Sequence, residues 1–439
     1  MLSESNCLIQ AQTSKASLNR AHRHNINKEL GNDKPIYGMN ILLKNLLVHG
    51  RKIGGYYARQ PFSLWLNVTV LPLLLGVSPA VSYGQSTQTE LNCSHDKIIC
   101  SWKDRVVGIK TPTMIASGFM LYESTLVTNK HVVEDHTSVR VKFQSGIVTK
   151  AEPIPNDHPA DLVILNVSAT REKFENGIRL TSERDQELRV VAYDQGRRSA
   201  RIYAEGSYAI HPDWEKYPQA RIHSDLLALP GNSGGAVLNK SGELVGVMAS
   251  GDGNVNEVIP ASLIKNIKDH SSEKHRDVFV KRGRAIRRCA DLLYESASIN
   301  KNPPHQVTTQ IKDFCLQSNN KQLLDQAGQL FGKWWMFSPS QMFLKESLKL
   351  DPQSPNTLMS LAVAYHLDRD YANEKPLLKK YLKLNPSDPQ GLRLAVQVAG
   401  MLKDKQFGQQ ALDLMRIHNP NAVELAEEFL TSSFGDQKP

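Results

Sequence analysis

The residues best suited to do chemistry in this chain are Gly231-Asn232-Ser233-Gly234-Gly235. A serine hydroxyl is a weak nucleophile until a base takes its proton, and the oxyanion it creates needs donors aimed at it in advance. Glycines on both sides let the backbone fold tightly enough for amide N–H groups to face the new negative charge. Taken alone, the string is equally the composition of an ordinary surface turn. A base that works near neutral pH is a histidine, and a carboxylate must fix its tautomer. Of the 14 histidines, His131 is set apart by its place directly after an apolar run, in Leu126-Val127-Thr128-Asn129-Lys130-His131-Val132-Val133. The carboxylate candidates are Asp161, which heads Leu162-Val163-Ile164-Leu165, and Asp157, which lies a little earlier and outside that run.

Such groups need rigid elements to hold them. After the serine loop come Ala236-Val237-Leu238, a turn at Asn239-Lys240-Ser241-Gly242 and the run Glu243-Leu244-Val245-Gly246-Val247-Met248, which read as a hairpin of buried strands. Upstream, short β-branched runs recur at 105–110, 115–121, 139–143, 147–150, 162–167, 188–193, 200–210 and 220–223. Many short strands without intervening helices argue for a sandwich or barrel. Helix is expected only after Pro260.

Together these segments resemble the trypsin-type serine proteases, and the HtrA/DegP-type members in particular, over roughly residues 95–270. Residues 231–235 resemble the family's nucleophile loop, 126–133 its histidine loop, and Ala116-Ser117-Gly118-Phe119-Met120-Leu121 the strand paired with it. Ile222–Pro230 resembles the approach to the serine, and Val258–Ile264 the closing strand and helix. The order His131, Asp161, Ser233 is that of chymotrypsin rather than of subtilisin or the α/β-hydrolases, and its spacings suit a compact bacterial-type domain. The resemblance implies a chymotrypsin-like, all-β double β-barrel of two six-stranded halves with a cleft between them. It casts His131 as base, Asp161 as the residue orienting it, Ser233 as nucleophile, and the amides of Gly231 and Ser233 as oxyanion donors; Asp157 becomes a solvated turn residue. The substrate pocket would have its floor near Leu227 and its walls near Ala249, Ser250 and Gly251. No acid stands there to attract lysine or arginine, so a small-to-medium aliphatic residue is expected before the scissile bond. HtrA proteases normally carry a PDZ domain after the catalytic one. None is visible here, so their trimeric assembly and peptide switching do not carry over.

The leader, 1–84, reads differently. A basic region at 41–59, an apolar stretch at 62–81 and small residues at 78–84 resemble a secretory signal, with Met39 as a second candidate start. An uncleaved anchor facing the periplasm is the alternative, since about twenty apolar residues can span a bilayer. The whole chain carries 53 Lys+Arg against 44 Asp+Glu, but the leader alone holds nine against three, leaving 44 against 41. Most of the basic excess belongs to the leader, which removes the main support for nucleic-acid binding. The cluster Lys281–Arg288 reads as the solvated face of a connecting helix. Beyond Cys7, four cysteines remain, and pairing Cys93 with Cys100 and Cys289 with Cys315 is the simplest of three connectivities in an exported chain; free thiols are the alternative. No Cys/His cluster has zinc-ligand spacing, so no cofactor and no catalytic metal are expected.

Downstream, Leu350-Asp351-Pro352, Leu384-Asn385-Pro386 and His418-Asn419-Pro420 place prolines at an even interval that equals the tetratricopeptide (TPR) period. Gly328 with Phe331 and Ala362 with Tyr365 match small and aromatic positions of that repeat, while the third unit lacks the aromatic. Pro376 is compatible if it lies in a first helical turn, and Trp334-Trp335 reads as packing. The expected organisation is a leader over 1–84, a protease domain over 85–272, a helical connector over 273–320 and an all-α TPR-like domain over 321–439. Its units lie near 321–354, 355–388 and 389–422, with Val423–Leu430 as a capping helix. The expected function is an exported serine endopeptidase acting on protein or peptide substrates, with a protein partner on the repeat face. The alternative is a catalytically latent trypsin-fold scaffold working through its repeats.

Overall fold

A computed structural model describes residues 93–168, 177–251 and 255–435; the leader reading, with Cys7 and Met39, lies outside them. An N-terminal β domain is followed by an all-helical region. Helix precedes the first strand, contrary to expectation: α1 (Lys97–Arg105) turns Ile99 and Trp102 into the core, and Trp102 Nε1 donates to Gly242 O at 2.9 Å. The Cys93–Cys100 disulfide ties the preceding segment to this helix.

Six strands close a barrel in the order β1-β2-β3-β6-β5-β4: β1 (Val106–Lys110), β2 (Ile115–Tyr122), β3 (Thr125–Thr128), β4 (Val139–Lys142), β5 (Val148–Ile154) and β6 (Val163–Val167). The short helix α2 (Lys130–Val133) leaves β3. Alternation drives closure in β4, where Val139 and Val141 are buried and Arg140 is exposed. The second half is a single seven-stranded sheet in the order β8-β7-β11-β12-β13-β10-β9. Its members are β7 (Arg189–Asp194), β8 (Ser199–Ile202), β9 (Ala209–Ile210), β10 (Ile222–Ser224), β11 (Ala236–Leu238), β12 (Leu244–Gly251) and β13 (Asn256–Pro260). The stretch read as one strand over 200–210 is two. Gly206 and Ser207 interrupt it, their amides serving Leu188 O and Asp225 Oδ1, and this raises the expected six strands to seven. Helix α3 (Leu263–Asp269) closes the domain.

Helices α4 (Arg276–Ser296) and α5 (His305–Ser318) come next and are stapled by the Cys289–Cys315 disulfide. Then three helix pairs follow: α6 (Lys321–Lys333) with α7 (Phe337–Leu350), α8 (Pro355–Leu367) with α9 (Tyr371–Leu384), and α10 (Pro389–Met401) with α11 (Lys405–His418). The first helices of the pairs start at an even spacing, at positions 321, 355 and 389. Asn320, Ser354 and Asp388 set those starts, each capping its helix by accepting from the backbone N–H of Leu323, Thr357 and Gly391 respectively. Within the first pair, a Cβ on Gly328 would meet Leu344 Cγ at 2.5 Å, so glycine permits the close approach of α6 and α7. Helix α12 (Val423–Phe434) packs on α10 and α11. Pro376 lies inside α9 rather than in its first turn, because Asp370 starts the helix earlier by capping Asn373 N–H; one backbone hydrogen bond is forgone there. The tryptophan pair divides: Trp334 is buried and donates to Ile299 O, whereas Trp335 is 45% exposed with φ 64°.

The basic cluster at 281–288 is a solvated face only in part, since Lys281 and Arg284 are exposed while Arg282 and Arg287 are turned to the barrel. On α4, Arg287 pairs with Asp135 at 2.8 Å and Arg282 donates to His158 O at 2.8 Å, so this helix is bolted to the barrel. Gly283 lies against the chain just after α2, where an added Cβ would sit 2.2 Å from Glu134 O. Alanine normally favours a helix over glycine by about 1 kcal/mol, but here it would drive backbone into backbone. Gly283→Ala is expected to lower Tm by several degrees in a calorimetric scan; an unchanged or higher Tm would show that α4 does not seat so closely.

Candidate active site

The histidine and aspartate loops are locked together by backbone as well as side chains. Asp161, just before β6, accepts at its main-chain O from Lys130 N–H (3.2 Å) and Asn129 Nδ2 (3.1 Å). Its carboxylate accepts from His131 N–H at 2.9 Å and lies 2.5 Å from His131 Nδ1. A carboxylate on Nδ1 leaves Nε2 as the ring's free acceptor. Burial works against ionised Asp161, yet the His131 charge and hydrogen bonds, with the Arg221 guanidinium behind them, hold its carboxyl below the ordinary aspartate range. Asp157 stands apart from this pair. It faces His270 (3.1 Å) and His275 (3.3 Å) instead.

Ser233 reaches the site through a loop whose glycines are required by geometry. Leu229 O accepts from Asn232 N–H at 2.9 Å, and Gly231 has φ +99°. Proline at position 230 fixes a negative φ before that glycine, so residues 229–232 form a type II turn. In it the amides of Gly231 and Ser233 donate to no group among the described residues. Gly234 has φ +84°, and a Cβ there would sit 2.1 Å from Ser117 O. The Ser233 hydroxyl donates to Ala249 O at 3.1 Å rather than to His131. Thus the structure brings His131 and Asp161 together and sets the two amides beside Ser233, but turns the hydroxyl toward β12.

Ser117 binds the two halves of the site. Its N–H donates to Ser233 O (2.9 Å), its hydroxyl donates to Gly231 O (2.6 Å) and accepts from Tyr193 N–H (2.8 Å), and its own carbonyl accepts from Thr128 Oγ1 (2.7 Å). Ser117 was not among the expected site residues; a hydroxyl inside the apolar run of β2 was the available signal. Gln195, whose Nε2 donates to Ile115 O at 2.7 Å beside Gly231, carried none. Of the residues assigned to the substrate pocket, Leu227 is 45% exposed, Ala249 is buried with its carbonyl turned to Ser233, and Ser250 and Gly251 continue the β12 backbone. Among the described residues no group of three or more His, Cys, Asp or Glu could hold a metal ion, and no helix is long and apolar enough to cross a membrane.

Comparison with known proteins agrees with the fold. Residues 116–247 match the family described as a trypsin-like peptidase domain. The chain is 30% identical over 173 residues to the serine endoprotease DegS of Escherichia coli K12, covering 37% of this chain and 47% of that one. It is 32% identical over 189 residues to a probable periplasmic serine endoprotease DegP-like of Rhizobium meliloti, covering 38% and 36%. A serine endoprotease from Yersinia pestis of known structure aligns with TM-score 0.34 and 21% identity over 41% of this chain and 67% of that one. The chain spans between a third and a half of the length of the first curated relatives it matches.

One neighbour of the pair is itself unusual. Lys130 is 1% exposed, with Nζ donating to His158 O at 2.9 Å. Burial first, and Arg282 second, push its pKa down from 10.5 to about 7 against the pull of Asp161 and Asp157. The folded state therefore binds fewer protons than the unfolded one between these values, and stability rises with pH across that window. Lys130→Met removes the buried cation at similar volume. Its Tm should exceed wild type by several degrees near pH 6, with the gap closing toward pH 10; a gap independent of pH would refute a charge origin.

Proposed function

We propose that this chain is an exported serine endopeptidase. That its trypsin-like domain has DegS- and DegP-type serine protease relatives supports the reaction class. The observation that carries the residue assignment is the His131–Asp161 pair, on a chain segment tied through Thr128 and Ser117 to the Ser233 loop, together with the Gly231 and Ser233 amides that donate to no group among the described residues. In this reading the hydroxyl leaves Ala249 O and turns to His131 Nε2 when substrate binds. Ser233 Oγ then attacks the scissile carbonyl as His131 accepts its proton, and Asp161 stabilises the imidazolium. The amides of Gly231 and Ser233 hold the oxyanion, and each such donor contributes about a hundredfold or more. Collapse of the tetrahedral species transfers the proton to the leaving amine, and water releases the acyl group by the same steps reversed.

Leu227, Ala249, Ser250 and Gly251 are assigned to the pocket, with a small-to-medium aliphatic residue before the cleaved bond. The three helix pairs are read as TPR-like units that dock a protein partner. The periplasmic naming of relatives supports export, with the leader as its signal.

The hydroxyl's bond to Ala249 O favours a second reading, a latent scaffold acting through its helices. A fluorophosphonate probe separates the two. Wild type should be labelled, Ser233→Ala not at all, and His131→Ala at least about a thousandfold more slowly. Labelling that persists in Ser233→Ala sinks the nucleophile assignment; folded wild type that resists the probe supports the scaffold.

A further inference from the structure

Behind Asp161 the protein is built neither of barrel core nor of solvent but of the helical region. Asp161, Arg221, the residue just before β10, and Lys321, the first residue of α6, line one cavity of about 20 Å³. From Arg221 a chain of buried charges runs into the helices. Arg221 Nη1 donates to Glu257 Oε2 at 2.7 Å, and Lys321 Nζ reaches Glu257 Oε1 at 2.5 Å and Asp325 Oδ2 at 2.8 Å. Thr357 Oγ1 donates to Asp325 at 2.9 Å. Asp351, between α7 and α8, accepts from Arg221 N–H at 3.3 Å and lies 2.9 Å from His223 Nε2. Side chains of Arg221, Glu257 and Lys321 are each no more than 7% exposed.

A network this deeply buried is poor evidence of stability, since the desolvation of each charge offsets most of the attraction. It does fix where a cation stands. Glu257 is shared between Arg221 and Lys321, Lys321 has Asp325 as a second partner, and Arg221 has further acidic neighbours. Those neighbours include Asp161 and Asp351. Around Asp161 the charged and titratable groups are His131 and Lys130 of α2, Arg221 just before β10, Arg282 of α4 and Lys321 of α6. Behind Arg221 stand Glu257, Lys321, Asp351 and His223.

Resting on the peptidase reading above, we propose that Arg221 is a positioning residue for the His131–Asp161 pair, and that the helical region, through Lys321 and Asp351, sets where Arg221 stands. The repeat array is then part of the catalytic apparatus, and any partner that draws α6 away from β13 retunes the base. A positive neighbour makes it harder for the pair to hold an extra proton. Removing it raises the apparent pKa that governs the acid limb of the rate profile.

The test uses the full chain and the second-order rate of fluorophosphonate labelling as a function of pH, which reports the free enzyme's ionisations. Arg221→Met is expected to move the acid limb upward by about 0.5 to 1 pH unit. Lys321→Met should move it in the same direction by less, and Arg221→Lys should keep it near wild type even if the plateau falls. Arg221→Met combined with Glu257→Gln removes both charges at constant volume and guards against misfolding of the single variant; a smaller upward shift is expected. Plateau rates that fall with the limb unmoved would overturn the proposal, since a purely structural loss lowers the rate without changing the ionisation. The low-field NMR resonance of the His131 Nδ1 proton, followed through the same titration, reads the shift without turnover. An unlabelled wild type would thus count against the peptidase reading alone, and an unmoved resonance against this one alone.

Discussion

A carboxylate taken out of water must be met by donors and positive charge, and much of this molecule is arranged around one that is. Asp161 is 6% exposed and holds His131 by two bonds, one from the ring and one from the backbone. The second bond matters as much as the first, because it fixes the start of α2 and so the direction in which the imidazole leaves the chain. Bonds from residues 129 and 130 to the carbonyl of the same aspartate complete the lock. The barrel then supplies rigidity on one side, and Ser117 carries register to the Ser233 loop on the other.

Helical and β regions are joined by two different kinds of contact. Helix α4 grips the loops after His131 and before Asp161 with Arg287 and Arg282, and its Gly283 lets it lie flat on the Glu134 backbone. Helix α6 and the α7–α8 turn instead meet β13 and β10 through buried polar side chains, Lys321 on Glu257 and Asp351 on His223. The first kind sets loop position; the second sets local potential. Neither contact is the wholly solvated helix face expected of the basic run at 281–288.

What the sequence made legible was local. Gly231 and Gly234 are needed for backbone reasons that act within a few residues, and the even spacing of capped helices repeats a short signal three times. The β-branched runs located most strands because alternation and burial act strand by strand. Helix α1 escaped because its two buried apolar side chains, Ile99 and Trp102, make a pattern too short to separate from a strand. Arg282, Arg287, Arg221 and Lys321 escaped for another reason. Their partners lie 124, 152, 36 and 64 residues away, and nothing in a charged residue's own neighbourhood says which distant carboxylate or carbonyl it will meet. The hydroxyl of Ser117 belongs with these, since its meaning depends on a loop 114 residues later.

The α4 contact has a consequence for how the molecule comes into being. All three residues of the His131–Asp161–Ser233 set are present once the chain reaches residue 233, and their loops are nearly closed by the strands that end at Pro260. Yet the helix that pins the first two loops begins only at Arg276, and its bond to Asp135 spans 152 residues of sequence. Contacts of such separation form late, because loop closure must come before they contribute. A chain that ended at Pro260 would hold all three residues and their strands but lack the helix that pins the loops on either side of the His131–Asp161 pair.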